Sequence, residues 1–288
     1  MAINWFPGHM AKTRREIKEN LKMVDAVIEI RDARIPRSSA NPEVDELCGT
    51  KPRIILLNKA DLAENKVTEM WIKHLTASNV KAIPCNSITG AGLKNIRPAL
   101  NELLAEKHER KSAKGIVNIV DRVMVIGIPN VGKSSFINKM AKSTIAKTGD
   151  KPGVTRSRQW IKTKLGIELM DTPGILWPKL ESDETQFNLA FTGAIKDEIM
   201  DIEELSVKLL EVLAKNYPDR LMERYKLTGL SEDPAENLEM IGRKRGAVMS
   251  GGRIDYNRIA VLLLDELRGG KLGPLSLERP EERPERDA

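Results

Sequence analysis

The chain has 288 residues, 41% hydrophobic, 31% charged and only 4% aromatic, which suits one large or two moderate globular domains with a helical bias. No apolar run approaches the roughly 18–20 residues that cross a bilayer, and Met1-Ala2-Ile3-Asn4-Trp5-Phe6-Pro7 has no basic-then-apolar leader pattern. Two cysteines, Cys48 and Cys85, make neither a disulfide framework nor a metal site, so a cytoplasmic protein with no membrane partner is expected.

Residues 10–22 read as a helix, with Met10, Ile17 and Leu21 on one side and basic residues elsewhere. Val24 to Ile30 is a predicted strand that leaves through a turn-like Arg31-Asp32-Ala33-Arg34-Ile35-Pro36. Arg53 to Leu57 is short and apolar, as in a parallel sheet buried on both faces, and it delivers Asn58. A helix over 66–77 leads to a strand at 80–85 ending at Asn86-Ser87, and Gly90 and Gly92 open a helix running to about Lys111. A strand at 121–126 then delivers a glycine-rich loop, with a helix beginning near Lys133. Strands at 158–164 and 166–170 follow, the second ending at Asp171. This alternation predicts a doubly wound α/β domain with its functional residues at strand C-termini. It should span 1–178.

Beyond about residue 180 the strand signals stop. Helices are predicted at 184–196, 203–216, 218–226, 234–244 and 255–268, giving a small all-α C-terminal domain over 179–275. Residues 276–288 hold Pro280 and Pro284 among closely spaced charges and are expected to be a disordered tail. The net charge of +6 is unevenly spread: 142–164 and 243–258 are basic, whereas 181–204 carries eight acids against Lys196. Charge by itself leaves a nucleic-acid partner and a merely solvated surface equally open.

Gly127-Ile128-Pro129-Asn130-Val131-Gly132-Lys133-Ser134 matches the phosphate-loop pattern in full, after a strand and opening a helix. Amides from Asn130 through Ser135 would cradle phosphate oxygens, Lys133 would reach the β- and γ-phosphates, and Ser134 would bind Mg²⁺. Asn58-Lys59-Ala60-Asp61 selects the base. The Asp61 carboxylate can accept from guanine N1–H and N2–H₂, a donor pair that adenine lacks. Asn58 would tie the base loop to the phosphate loop, the Lys59 stem would cover the base, and Asn86-Ser87 is a candidate backbone contact to guanine. Asp171, in Asp171-Thr172-Pro173-Gly174, is placed for a Mg²⁺ contact, and Gly174 could give its amide to the γ-phosphate. Thr155 is the candidate to complete the Mg²⁺ shell. GTP or GDP with Mg²⁺ is the implied ligand set.

The order of these motifs is unusual, because the base-reading tetrad precedes the phosphate loop. With Asn4-Trp5-Phe6-Pro7-Gly8-His9-Met10, Asp32-Ala33-Arg34-Ile35-Pro36 and the helical C-terminus, the chain resembles the circularly permuted GTPases of the YlqF/YawG family. That resemblance covers nearly the whole chain. It implies a monomeric GTPase that docks in the GTP state on a late precursor of the large ribosomal subunit, contacts its rRNA, and hydrolyses GTP when the particle stimulates it. Asn130 resembles an asparagine that helps hold K⁺ in potassium-activated GTPases, and a plain loop-fitting role stands equal beside it.

Many GTPases place a water-orienting glutamine directly after the DxxG segment. Here that position is Ile175, which has no hydrogen-bonding side chain. Permutation puts the predicted helix 10–22 where the switch helix would lie, with His9 just before it, and an imidazole can position or relay a proton to water. The resemblance points to the same histidine, against the alternatives of a helix cap or an RNA contact. His74 and His108 lie in predicted helices and carry no such case. Two other readings compete: an RNA-binding assembly module in which nucleotide only locks conformation, and a tRNA-modification GTPase. Intact switch elements disfavour the first; motif order and the helical C-terminus disfavour the second.

Overall fold

A computed structural model describes residues 7–116, 118–141, 160–172 and 182–280. Two compact units emerge: one takes the chain to Leu180 and again from Glu278, the other is Glu181–Leu277.

The first unit is built on a six-stranded sheet: β1 (Ala26–Asp32), β2 (Arg53–Asn58), β3 (Val80–Pro84), β4 (Asp121–Gly127), β5 (Trp160–Lys162) and β6 (Ile167–Asp171), in the order β3-β2-β1-β4-β6-β5. All neighbours are parallel except the β5–β6 pair. β1 is central, and every one of its residues is buried, including Glu29, Arg31 and Asp32. Charge on so buried a strand has to be paired. Glu29 accepts from Arg31 Nε at 2.7 Å and Nη2 at 3.0 Å, and Arg53 Nη1 lies 3.2 Å away across the β1–β2 pair.

The helices are α1 (Pro7–Leu21), α2 (Pro42–Cys48), α3 (Asn65–Leu75), α4 (Ile96–Leu103), α5 (Ala105–Ser112) and α6 (Lys133–Met140). Ile17 and Leu21 of α1 join Val27, Met124, Ile126 and Met170 in a buried cluster, so α1 lies on one face of β1, β4 and β6. α1 starts at Pro7, a residue suited to the first helical position. His9 therefore lies inside its first turn instead of just before the helix. α2 is not foreseen in the sequence reading, although its signals are there: Asn41 accepts from the Glu43 amide, Pro42 opens the helix, and Gly49 closes it at φ 52°. The long helix expected from Gly92 to Lys111 is a 3-10 turn at Leu93–Asn95 followed by α4 and α5, which break at Leu104 (φ −112°, ψ 15°).

The second unit is helical: α7 (Asp183–Phe191), α8 (Ile202–Asn216), α9 (Pro218–Tyr225), α10 (Pro234–Arg245) and α11 (Tyr256–Arg268). Leu205, Leu209, Leu213, Leu238, Ile241 and Leu263 are buried in it. Acids at the helix starts are caps: Asp201 accepts from the amides of Glu203 and Glu204, Asp233 from Ala235, Asp255 from Arg258. Among the described residues, no helix is long and apolar enough to cross a membrane.

The expectation of disorder from residue 276 fails for 276–280. Tyr217 Oη donates to the Ser276 carbonyl at 2.8 Å within the helical unit. Glu278 returns to the first unit, where its carboxylate is buried and accepts from the Arg37 amide at 2.7 Å, the Ser38 amide at 3.0 Å and the Ser38 hydroxyl. Trp71 Nε1 donates to the Glu278 carbonyl at 3.2 Å. Composition favoured disorder because few apolar groups are present; backbone donors waiting for a carboxylate leave no trace in composition. Residues 281–288 lie outside the described set.

Candidate guanine-nucleotide site

β1, β2 and β4 end at one edge of the sheet, with Asp32 in register with Asn58 and Ile30 with Gly127. The base-reading loop and the phosphate loop thus emerge on either side of β1. Asn58 joins them: its Nδ2 donates to the Val131 carbonyl at 2.7 Å, and its Oδ1 accepts from the Ser87 amide at 2.9 Å. Both partners of this buried amide are satisfied, so a carboxamide at position 58 locks three loops together. The approach is close. A Cβ on Gly132, whose φ is +98°, would lie 2.2 Å from Asn58 Nδ2. Gly127 is similarly confined, with the Ile30 carbonyl 2.9 Å from where its Cβ would stand.

The phosphate loop runs through Asn130 at φ 61° and Gly132 into α6, where no side chain caps the helix start. Among the described residues no side chain caps the first-turn amides of Lys133, Ser134 and Ser135, as an anion site needs. Lys133 Nζ is 2.7 Å from Asp171 Oδ1 and also donates to the Thr172 carbonyl. Asp171 in turn is held at the end of β6, beside Val125, and Thr172 Oγ1 donates to the Val125 carbonyl at 2.7 Å. Hard oxygen donors at Ser134 and Asp171, next to the phosphate-loop ammonium, are a donor set that fits Mg²⁺. Thr155 and Gly174 lie outside the described residues, as does Ile175.

Asp61 is exposed, in the short 3-10 turn Ala60–Leu62 that follows Lys59. Lys59 takes a left-handed backbone (φ 58°), uncommon for a residue with a side chain. Its Nζ is 3.1 Å from the Asn130 carbonyl and 3.0 Å from Asp32 Oδ2. Asp32 also pairs with Arg34 through Nε at 2.9 Å and Nη2 at 2.8 Å, and both side chains are only 2% exposed. Burial pushes the Asp32 pKa up, but Arg34 and Lys59 outweigh it and hold the carboxyl far below the usual range. Burial likewise opposes the charge on Arg34; Asp32, and then Asp61, overcome it and raise its pKa.

Asn86 and Ser87, the candidate backbone contact to guanine, have partners within the protein. The Asn86 amide donates to the Ala91 carbonyl at 3.0 Å, and the Ser87 amide is committed to Asn58. Asn86 Oδ1 accepts from the Ile88 and Thr89 amides, closing its own turn. Through the Ser87 amide the segment orients Asn58. Among the described residues no cluster of His, Cys, Asp and Glu could hold a metal by itself.

A family model described as "50S ribosome-binding GTPase" matches residues 122–230. Ribosome biogenesis GTPase A from Bacillus pumilus is 50% identical over 98% of this chain and 100% of its own length. The chain belongs to the ribosome biogenesis GTPase A (YlqF) family. Two solved structures agree: GDP-bound YlqF (TM-score 0.66, 29% identity, 93% of this chain and 100% of that one) and GNP-bound YlqF from T. maritima (TM-score 0.66, 28%, 94% and 100%). A YlqF-family chain with this loop arrangement binds guanine nucleotides and hydrolyses GTP. The permuted order is the family's: the strand carrying the base tetrad precedes the strand carrying the phosphate loop. In the sequence Asp32 and Arg34 stand only as part of a turn and of the family signature. Their signal is a pair of opposite charges at the end of a strand that already carries Glu29 and Arg31, adjacent to the strand that delivers Asn58.

Proposed function

We propose that this GTPase docks on a late precursor of the large ribosomal subunit in its GTP state, and that the particle triggers hydrolysis and release. The observation that carries the guanine half of this reading is the Asn58–Val131 hydrogen bond, which makes the base loop and phosphate loop one unit. The relatives' names and the family description support the ribosomal half. In this reading Asp61 reads the guanine, Lys59 covers it, and the Asn130–Ser135 amides with Lys133 hold the phosphates. Ser134, Asp171 and Thr155 would hold Mg²⁺, which would neutralise charge on the β- and γ-phosphate oxygens. Asn130 is a candidate ligand for K⁺, separable from a loop-fitting role by comparing turnover in potassium and sodium salts.

His9 is the proposed water-positioning group. A 15-residue helix, about 22 Å long, returns through the turn after Leu21 into β1, seven residues and about 23 Å in length. These matched lengths support a first turn of α1 that returns toward the edge where the nucleotide loops emerge. His9→Ala should leave GDP affinity within about twofold, while particle-stimulated turnover falls by about 10²-fold or more, the scale of general acid–base contributions. Unchanged stimulated turnover would remove His9 from the mechanism.

The test of the function is sedimentation with purified ribosomal particles under a non-hydrolysable GTP analogue, GDP or no nucleotide. Co-migration with large-subunit precursors only under the analogue supports the proposal. Nucleotide-independent binding would favour the RNA-binding module. The chain is expected to act in the cytoplasm and as a monomer; sedimentation of the free protein in the same gradients tests the monomer.

A further inference from the structure

β1 contributes neither the phosphate loop nor the base tetrad, yet it lies between the strands that deliver both, and its exit carries a buried ion pair. Buried pairs are costly to desolvate and add little stability compared with apolar packing, so one kept at a ligand site calls for a reason beyond stability. The geometry supplies one. Asp32 is bidentate to Arg34 and has an additional contact, at 3.0 Å, with the ammonium of Lys59. Its own amide is fixed by Ser39 Oγ at 3.0 Å, and Ser39 Oγ donates to the Ile35 carbonyl at 2.6 Å, so the carboxylate is anchored from behind. Lys59 meanwhile bridges to the Asn130 carbonyl and holds a left-handed backbone that a non-glycine residue adopts only when its surroundings enforce it.

We infer that Asp32 and Arg34 are positioning residues for guanine recognition: Asp32 fixes the Lys59 side chain between the base loop and the phosphate loop, and Arg34 orients Asp32. This rests on the reading that Asn58–Asp61 receive guanine. The competing reading is a pair that only seals the exit of β1. The two differ in coupling. A brace acting through Lys59 loses its effect on nucleotide affinity when Lys59 is already gone, whereas a structural seal does not.

The experiment measures binding and release of mant-GDP by fluorescence for the full chain and for Asp32→Asn, Lys59→Met and their double variant. Asp32→Asn should weaken binding about tenfold, chiefly through faster release, as expected for losing a charge-assisted contact. In the Lys59→Met background the same substitution should change affinity by less than about twofold. An equal loss in both backgrounds, or no loss in a folded Asp32→Asn protein, overturns the inference. Asp32→Asn leaves a buried guanidinium uncompensated, so D32N/R34M, with and without Lys59→Met, provides the same comparison in a background without that charge. Asp61→Asn is the control for the underlying site: it should exchange GDP for xanthosine diphosphate, whose O2 replaces the guanine amino donors. Failure of that exchange would sink the site reading itself; success with equal losses in the cycle would sink only the brace.

Discussion

Replacing Glu278 tests how far the C-terminal segment belongs to the nucleotide-binding unit. Its side chain is only 5% exposed as a residue and accepts from two backbone amides and a hydroxyl, with donor distances of 2.7 Å from Arg37 and 3.0 Å from Ser38. Hydrogen bonds to a charged acceptor contribute about 1.5–3 kcal/mol each, and removing the acceptor leaves buried donors unsatisfied. Water entering the space left by Glu278→Ala would recover part of this, so a net loss of about 3 kcal/mol is expected. For a unit of this size that corresponds to a fall in Tm of about 6–12 °C. Glu278→Gln keeps the volume and one acceptor oxygen and should lose about half as much. Thermal melts at saturating GDP give the magnitude. Hydrogen exchange at the Ser38 amide and the Trp71 indole gives the location, since Trp71 donates to the Glu278 carbonyl. A shift below about 2 °C for both variants, with exchange at Ser38 unchanged, would refute the reasoning.

Burial raises the thiol of Cys48 to about 11 and that of Cys85 to about 12, so in the folded protein neither should react with iodoacetamide at pH 8 and both should react after unfolding. Rapid labelling of Cys85 in the native state would contradict the packing beneath Asn58. Asp121, at the start of β4, is fully buried with Arg97, Lys107 and His108 around it at about 3 Å. Burial pushes its pKa up, but hydrogen bonds from His108 and Lys107 and their charges prevail and lower it from 3.8. A depressed carboxylate stabilises the fold above its unfolded pKa and loses that contribution as pH falls through the folded one. The stability gap between wild type and Asp121→Asn, about 3 kcal/mol near pH 7, should therefore narrow below about pH 4 in urea titrations; a pH-independent gap would exclude the ionic account.

The loops proposed to receive guanine nucleotide are legible in the sequence because their pattern is local. Gly132-Lys133-Ser134 after a strand, and Asn58 to Asp61 after another, match phosphate-binding and base-reading patterns within a few residues each. Parallel strands were legible for the same reason, since a strand buried on both faces needs an unbroken apolar run, as in Ile54–Leu57. What tertiary structure decided is how distant polar groups pair. The Asn86 and Ser87 amides look available in the sequence, yet the folded loop uses them on Ala91 and Asn58. Asp32 and Arg34 look like a solvated turn until β1 is seen between β2 and β4, where neither charge can remain unpaired. Glu278 sits in a charged, proline-containing stretch, and only the fold supplies the Arg37 and Ser38 amides that bind it, some 240 residues earlier in the chain. Hydrophobic periodicity encodes which face is buried; it carries no record of which buried charge meets which donor, because that depends on contacts between segments far apart along the chain.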